Sequence, residues 1–218
     1  YKDGKRVWLN FDNTNGYADF YFNGVKISGT KTSSRDVSGH MLRSKFDVTP
    51  LLNKSGKNAI AVLITDPDQK KMRKAKDPYG VACSPSYLAG AGWDWMPYIP
   101  GRLAGITGNA YLSITGDAIM EDPWVRSDLP TLQKAELSVS TNIKNASSSP
   151  KKVVLTGVIQ PGNINFSKNI QVEGNSTAQL SVNKNDFAQM VINNPKLWWP
   201  NGYGDPNLYT CKLTCSID

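Results

Sequence analysis

The stretch that decides the fold is Tyr17 to Ile27, which reads YADFYFNGVKI. Two runs of β-prone residues, Asp19–Phe22 and Val25–Ile27, flank the pair Asn23-Gly24. Asparagine and glycine both tolerate the left-handed backbone conformation that a two-residue hairpin turn requires. The stretch therefore predicts two antiparallel strands joined by a tight turn.

Strand patterns extend outward from this hairpin in both directions, and helical periodicity is nearly absent. VWLNF (7–11) precedes it, while NAIAVLI (58–64), NAYLSITG and AELSVSTNI follow. NAIAVLI is apolar enough to predict a strand that is buried on both faces. Only NDFAQMVINNP has the pattern of a short helical turn. The sequence predicts an all-β protein.

The segment EDPWVRSDLP changes the composition of the chain and predicts a boundary between two domains, because it combines two prolines with several charges. Beyond it the strands are short and alternating, and the turns SSSP, PGN and EGN separate them. Such spacing is typical of a small antiparallel sandwich. We assign residues 1–121 to a first domain and residues 122–218 to a second.

Cysteine and histidine usage argues against a metal site and a disulfide framework. The chain has three cysteines and one histidine, without a CxxC motif. Cys211 and Cys215 lie on one face of the last strand, about 13 Å apart, which is too far for a disulfide bond. They are predicted to be small core side chains. We expect no metal ion and no cofactor.

Charge and hydropathy limit the partners. The net charge is +7, and basic residues concentrate in KKMRKAK (70–76). Such a segment can bind polyanions, but it is more often a solvated loop, and no nucleic-acid motif accompanies it. No run approaches the roughly 18 apolar residues of a membrane span. We predict neither a nucleic-acid nor a membrane partner.

No signal peptide is visible in YKDGKRVW, so the sequence does not indicate a localisation.

The region from Thr65 to about Gly105 lacks a regular pattern, and long segments of this kind are usually functional or disordered. Near its end, AGAGWDWMPYIPGR (89–102) places Asp94 between Trp93 and Trp95. An indole offers a flat apolar face, and a carboxylate accepts charge-assisted hydrogen bonds. This combination suits the binding of a sugar ring. The alternative is that both tryptophans fill a seam between domains while Asp94 caps a turn or pairs with Arg102.

Several segments, in this order, resemble the non-catalytic front part of glycoside hydrolase family 2: RVWLNFDNTNGYADFYFNG, KFDVTPLL, NAIAVLI, GWDWMPYIPGRLAGI and NPKLWWPNGYGDPNLY. They are similar to the β-mannosidase, exo-β-glucosaminidase and atypical β-galactosidase branches. The resemblance implies a jelly-roll (galactose-binding-like) sandwich without its first strands, then an immunoglobulin-like β-sandwich. It also implies a catalytic (β/α)₈ barrel beyond Asp218 and a periplasmic or secreted parent enzyme.

The same resemblance implies a division of roles. Retaining glycoside hydrolysis uses two carboxyl groups about 5 Å apart, and both would belong to the barrel, so we nominate no catalytic residue here. Asp94 would bind hydroxyls of the non-reducing-end sugar of a β-glycoside, with Trp93 and Trp95 beside it. Trp198 and Trp199 are predicted to belong to the core of the second domain and to its interface with the barrel.

The sequence therefore predicts the sugar-binding and scaffold portion of an enzyme that hydrolyses O-glycosyl bonds in carbohydrate metabolism, inactive by itself. Two other classes stay open: a free-standing carbohydrate-binding protein, and an adhesion or assembly module built of β-sandwiches.

Overall fold

The computed structural model of the protein describes residues 4–29, 37–65 and 105–218. The chain forms two compact units that divide between Thr115 and Gly116. Within the described ranges the regular structure is β-sheet, apart from 3₁₀ turns at Thr49–Leu51 and Ala188–Met190. The all-β prediction is confirmed, and the second of these turns lies in the segment predicted to be helical.

The strands, in chain order, are β1 Arg6–Phe22, β2 Val25–Lys26, β3 Val37–Asp47, β4 Ile60–Thr65, β5 Gly105–Ile106, β6 Ala110–Thr115, β7 Ala118–Thr131, β8 Lys134–Asn145, β9 Lys151–Gln160, β10 Ile164–Val172, β11 Ser176–Val182, β12 Val191–Asn193 and β13 Thr210–Ile217.

Strand β1 is the centre of a six-stranded sheet in the first unit, and all its pairings are antiparallel. Tyr17 pairs with both β3 and β4, and Phe22 with both β2 and β4. Strands β2 and β3 therefore lie along one edge of β1, and β4, β5 and β6 along the other. The core of this unit contains Val48 and six side chains of β1: Val7, Leu9, Phe11, Ala18, Phe20 and Phe22.

The predicted hairpin is confirmed. Asn23 and Gly24 adopt φ values of 49° and 81°, and Phe22 pairs with Val25 across the turn. The Asn23 side chain also accepts a hydrogen bond from the Ala59 amide and donates to the Leu51 carbonyl, each at 2.8 Å. The turn is thus fastened to the segments on both sides of it.

Two strand predictions in the first unit need correction. The segments 7–11 and 19–22 belong to one continuous strand, because shifts of register at Phe11/Thr14 and Thr14/Gly16 absorb the irregular residues between them. The prediction that 58–64 is buried on both faces is wrong. Strand β4 pairs only with β1 among the described strands, and Ile60 and Leu63 are about half exposed.

The second unit is a sandwich of two antiparallel sheets, one of three strands in the order β10-β9-β13 and one of four strands around β8. Alternate residues of β8 and β9 point inward and are buried, as the period of two predicts. Their inner faces share one apolar core, which Phe166, Leu180 and Met190 complete. Asp122, the predicted start of the second domain, lies within β7.

One end of this sandwich is closed by a buried amide. The Asn145 side chain, at the end of β8, donates hydrogen bonds to the carbonyl oxygens of Ser149, Val172 and Glu173 at 2.8, 3.1 and 3.2 Å. Its oxygen accepts from the backbone and hydroxyl of Ser147. Because buried backbone groups need partners, this amide joins the β8–β9 and β10–β11 loops at one end of the unit.

Candidate functional site

The predicted sugar-binding residues Asp94, Trp93 and Trp95 lie outside the described residues, as does Arg102. Their proposed roles therefore stay predictions. The structure instead defines the points at which the segment carrying them leaves and rejoins the first unit.

Both attachment points lie on the same edge of β1. Thr65, the last residue of β4, pairs with Tyr17, and Gly105, the first residue of β5, pairs with Asn15. Two residues along a strand correspond to about 7 Å. Thr65 and Gly105, which flank the segment 66–104 in the sequence, therefore lie at neighbouring positions along β1.

The backbone at this attachment site is irregular and its side chains are polar. The register shifts of β1 fall here, and bulges of this kind are frequent beside functional sites. Thr14 and Asn15 are buried, and the Asn15 amide oxygen accepts a hydrogen bond from the Met41 backbone at 2.6 Å. Sequence analysis did not select these two residues. The feature of the sequence that could have identified them is DNTN (12–15), a run of four polar residues within β1.

A second feature is a groove of about 690 Å³ in the second unit, at the end of the sandwich opposite Asn145. We call it the sandwich-end groove. The end of β7, the first residues of β8 and β13, and the 195–209 loop form its walls. Its lining is mainly apolar, with Leu129, Leu132, Trp198, Trp199 and Leu208 around its mouth.

The prediction that Trp198 and Trp199 belong to the core is wrong, since they are 57% and 39% exposed. The loop that carries them is nevertheless ordered. Trp198 forms a β-bridge with Pro206, and the Trp199 amide donates to the Asp205 carbonyl at 3.1 Å. At Gly204 a Cβ would lie 2.8 Å from Trp199 Cδ1, so only glycine fits against this indole.

Lysines stabilise two carboxylates on the second unit in their charged form. Hydrogen bonds from Lys134 and then Lys184 lower the pKa of Glu136 below its ordinary value. A hydrogen bond from Lys168 lowers the pKa of Asp186 in the same way. Glu136 on β8 pairs with Lys184, and Lys168 on β10 pairs with Asp186. Because Lys184 and Asp186 both lie in the 183–186 turn after β11, these ion pairs connect β8 and β10 to that turn.

The thiols of Cys211 and Cys215 are partly buried and pack against the core, as predicted. Removal from water raises the pKa of both thiols. Only Cys211 lines the sandwich-end groove. Cys211 therefore lies at the groove and Cys215 outside it, although both are on one face of β13.

Among residues 4–29, 37–65 and 105–218 no cluster of three or more histidine, cysteine, aspartate or glutamate side chains could hold a metal ion. No helix in these ranges is long and apolar enough to cross a membrane.

Two family models match the chain, one after the other. Residues 1–108 match the model of the glycosyl hydrolase 2 galactose-binding domain-like family. Residues 118–218 match the model of glycosyl hydrolases family 2. The matched ranges correspond to the two compact units and leave a gap only around the division between them.

Curated relatives resemble the chain over nearly its whole length. A mannosylglycoprotein endo-β-mannosidase of Lilium longiflorum is 28% identical over 99% of the chain, and an exo-β-D-glucosaminidase of Streptomyces avermitilis is 26% identical over 97%. A β-mannosidase B of Aspergillus terreus is 28% identical over 99%. The chain spans only 23%, 21% and 24% of the length of these three proteins.

Solved structures share the fold. An exo-chitosanase of Amycolatopsis orientalis superposes with a TM-score of 0.74 at 22% identity, over 98% of this chain and 22% of that one. A β-glucuronidase of Bacteroides uniformis gives a TM-score of 0.69 at 19% identity, over 98% and 22%. These similarities agree with the predicted jelly-roll and immunoglobulin-like sandwiches.

Proposed function

Because this chain belongs to family 2 of the glycosyl hydrolases, we propose that it is the sugar-binding and scaffold portion of a larger enzyme that hydrolyses β-glycosidic bonds. The chain spans 21–24% of the length of the three curated relatives, which are named as β-mannosidases and a β-glucosaminidase. The observation that carries the proposal is the pair of family models, which occupy the chain in order from end to end. Catalysis would belong to a (β/α)₈ barrel that follows Asp218.

In this proposal the segment 66–104 reaches into the active site of the barrel. Its two attachment points lie side by side on β1, which supports a projecting loop with a fixed base. Asp94 would accept hydrogen bonds from hydroxyls of the non-reducing-end sugar, and Trp93 and Trp95 would contact the apolar faces of that ring. The prolines and glycines beside them would limit the entropy lost on binding.

The second unit acts as a spacer in this proposal. It would connect the first unit to the barrel along the chain. The buried side chains of its two sheets form one apolar core, which includes Leu137 and Phe166. A rigid element of this kind supports functional residues that belong to other parts of the protein.

The proposal is tested by comparing the 218-residue chain with the complete protein that its gene encodes. Both are assayed with p-nitrophenyl β-D-mannoside and p-nitrophenyl β-D-glucosaminide. We expect turnover from the complete protein and none from the 218-residue chain. Activity that follows the 218-residue chain through repurification would overturn the assignment of catalysis to another domain. A natural stop codon directly after Asp218 would favour the free-standing carbohydrate-binding protein instead.

A further inference from the structure

The chain contains three Asn-Gly pairs, at residues 15–16, 23–24 and 201–202. A pair of this kind can deamidate without an enzyme. The glycine backbone nitrogen loses its proton and bonds to the side-chain Cγ, the Cγ–Nδ2 bond breaks, and the amide nitrogen leaves as ammonia. Water then opens the resulting five-membered succinimide to aspartate or isoaspartate. Glycine favours the attack because it has no Cβ to hinder it.

The fold decides which of the three pairs reacts, although the dipeptide is the same in each. The asparagine side chain must be free to rotate until its Cγ meets the next backbone nitrogen. Any hydrogen bond that holds the side-chain amide in place has to break first. Water must also reach the succinimide to complete the reaction.

The first pair meets none of these requirements. Asn15 is only 3% exposed, and its amide oxygen accepts a hydrogen bond from the Met41 backbone at 2.6 Å. Gly16 lies within β1 and pairs with Gly39 of β3. The Asn15 side chain is thus both fixed and shielded from water.

The second pair is exposed but held. The Asn23 amide nitrogen donates hydrogen bonds to the Leu51 carbonyl and to Oδ1 of Asn58, each at 2.8 Å. Its amide oxygen accepts a hydrogen bond from the Ala59 backbone, also at 2.8 Å. Both ends of the side-chain amide have partners, so all three hydrogen bonds oppose its rotation.

The third pair is exposed and unrestrained. The Tyr203 amide donates to the Pro200 carbonyl at 3.0 Å, which closes a turn with Asn201 and Gly202 at its centre. Gly202 has a φ of 86°, as the third residue of a type II turn requires. Every residue from 198 to 206 is exposed. No described residue forms a hydrogen bond with the Asn201 side chain.

We propose that Asn201 is a site of spontaneous deamidation in the folded protein, and that Asn15 and Asn23 are protected from the same reaction. The comparison with Asn23 carries the proposal. Both side chains are exposed, and a Cβ at either following glycine would meet nothing within 4 Å. The two pairs differ in the hydrogen bonds of the asparagine.

The product changes the loop that contains Trp198 and Trp199. Aspartate adds a negative charge to the turn, and isoaspartate also adds a backbone atom within it. Because the loop is exposed, the core of the second unit is not disturbed. The inference does not depend on the proposed function, since the reaction needs only this chain and water.

Peptide mapping of the 218-residue chain tests the proposal. The folded chain is incubated at mildly alkaline pH, and the products at all three pairs are quantified by mass spectrometry with fragmentation that separates isoaspartate from aspartate. Digestion in heavy-oxygen water marks any product that forms during preparation. Three hydrogen bonds must break at Asn23 before its amide can react, so we expect Asn201 to deamidate at least about tenfold faster. In urea the three rates should converge, because the fold no longer distinguishes the pairs.

Two matched variants identify the attacking nitrogen. Gly202→Ala adds a methyl group beside it and should slow deamidation of Asn201 by about tenfold or more. Gly24→Ala makes the same change in the other exposed turn, where φ is 81°, and should leave the rate at Asn201 unchanged. Circular dichroism before and after incubation verifies that the folded chain is the species that reacts.

Deamidation of Asn201 no faster than that of Asn23 would overturn the proposal. A difference between the two that persists unchanged in urea would also overturn it, because the local sequence and not the fold would then set the rates. An unchanged rate in Gly202→Ala would exclude attack by that backbone nitrogen and would contradict the proposal as well.

Discussion

At the residue scale, the second unit depends on positions where no side chain fits. A Cβ built at Gly157 of β9 would lie 2.0 Å from Phe166 Cζ, because that ring lies directly over the glycine. Phe166 is buried and contributes to the core. The glycine therefore creates the space that the largest side chain of β10 occupies.

We predict that Gly157→Ala lowers the free energy of unfolding of the second unit by about 1–3 kcal/mol, the usual cost of overpacking a core. Gly116→Ala is the matched control, since a Cβ there meets nothing within 4 Å, and its effect should stay within about 0.5 kcal/mol. Scanning calorimetry of the 218-residue chain measures both. If Gly157→Ala lowers the free energy of unfolding as little as Gly116→Ala does, the Phe166 ring can move aside and the prediction is wrong.

At the scale of strands, alternation in the second unit predicted the structure well, because buried residues alternate with less buried ones along β8 and β9. The errors arose where burial depends on neighbours that a local pattern does not contain. NAIAVLI is apolar after its first residue, yet β4 pairs with only one described strand. The continuity of β1 depends on bulges near DNTN, and a polar run in the sequence does not distinguish a bulge within one strand from a break between two strands. Trp198 and Trp199 have the composition of a core but lie beside an open groove.

The ion pairs of Glu136 and Asp186 with lysines make the second unit sensitive to acid. The pKa values of Glu136 and Asp186 are lowered in the folded protein by their lysine partners. Their contribution to stability is therefore present above the pKa of the unfolded chain and is lost as the pH falls through the folded pKa. We predict a melting temperature that decreases from pH 5 to pH 3, with a smaller decrease in the double variant Glu136→Gln/Asp186→Asn.

Glu173→Gln, which removes an exposed carboxyl group of the same unit, is the control and should retain the full decrease. High salt should reduce the difference between wild type and double variant, because all three ion pairs are accessible to solvent. If the melting temperature of the double variant falls as much as that of the wild type between pH 5 and pH 3, these ion pairs do not contribute to the pH dependence.

At the scale of the whole molecule, we propose that the chain supplies part of a sugar-binding site in a larger enzyme. The sequence identified the family because its motifs are local and ordered, and GWDW and LWWPNGYG are specific among them. The placement of Asp94 could not be derived in the same way, because a motif gives the order of residues along the chain and not their positions in space. The structure contributes the two neighbouring attachment points of that segment on β1.

We predict that the 218-residue chain binds free mannose or glucosamine only weakly, with a dissociation constant on the order of millimolar or higher, which is about −4 kcal/mol at best. One or two hydrogen bonds and a partial stacking surface must offset the rigid-body freedom that the sugar loses. Titration followed by NMR measures the affinity. Micromolar binding would indicate a complete site within the chain and would favour a free-standing carbohydrate-binding protein.

The most direct test of the account is the kcat/KM of Asp94→Ala in the complete protein, measured with the better of the two p-nitrophenyl glycosides. Removing a charged partner from a desolvated site costs about 2–4 kcal/mol, so we predict a loss of about 30- to 900-fold. The melting temperature of the 218-residue chain should hardly change on the same substitution. An unchanged kcat/KM per folded molecule, together with strong destabilisation of the 218-residue chain, would contradict the account and make Asp94 a structural residue of its loop.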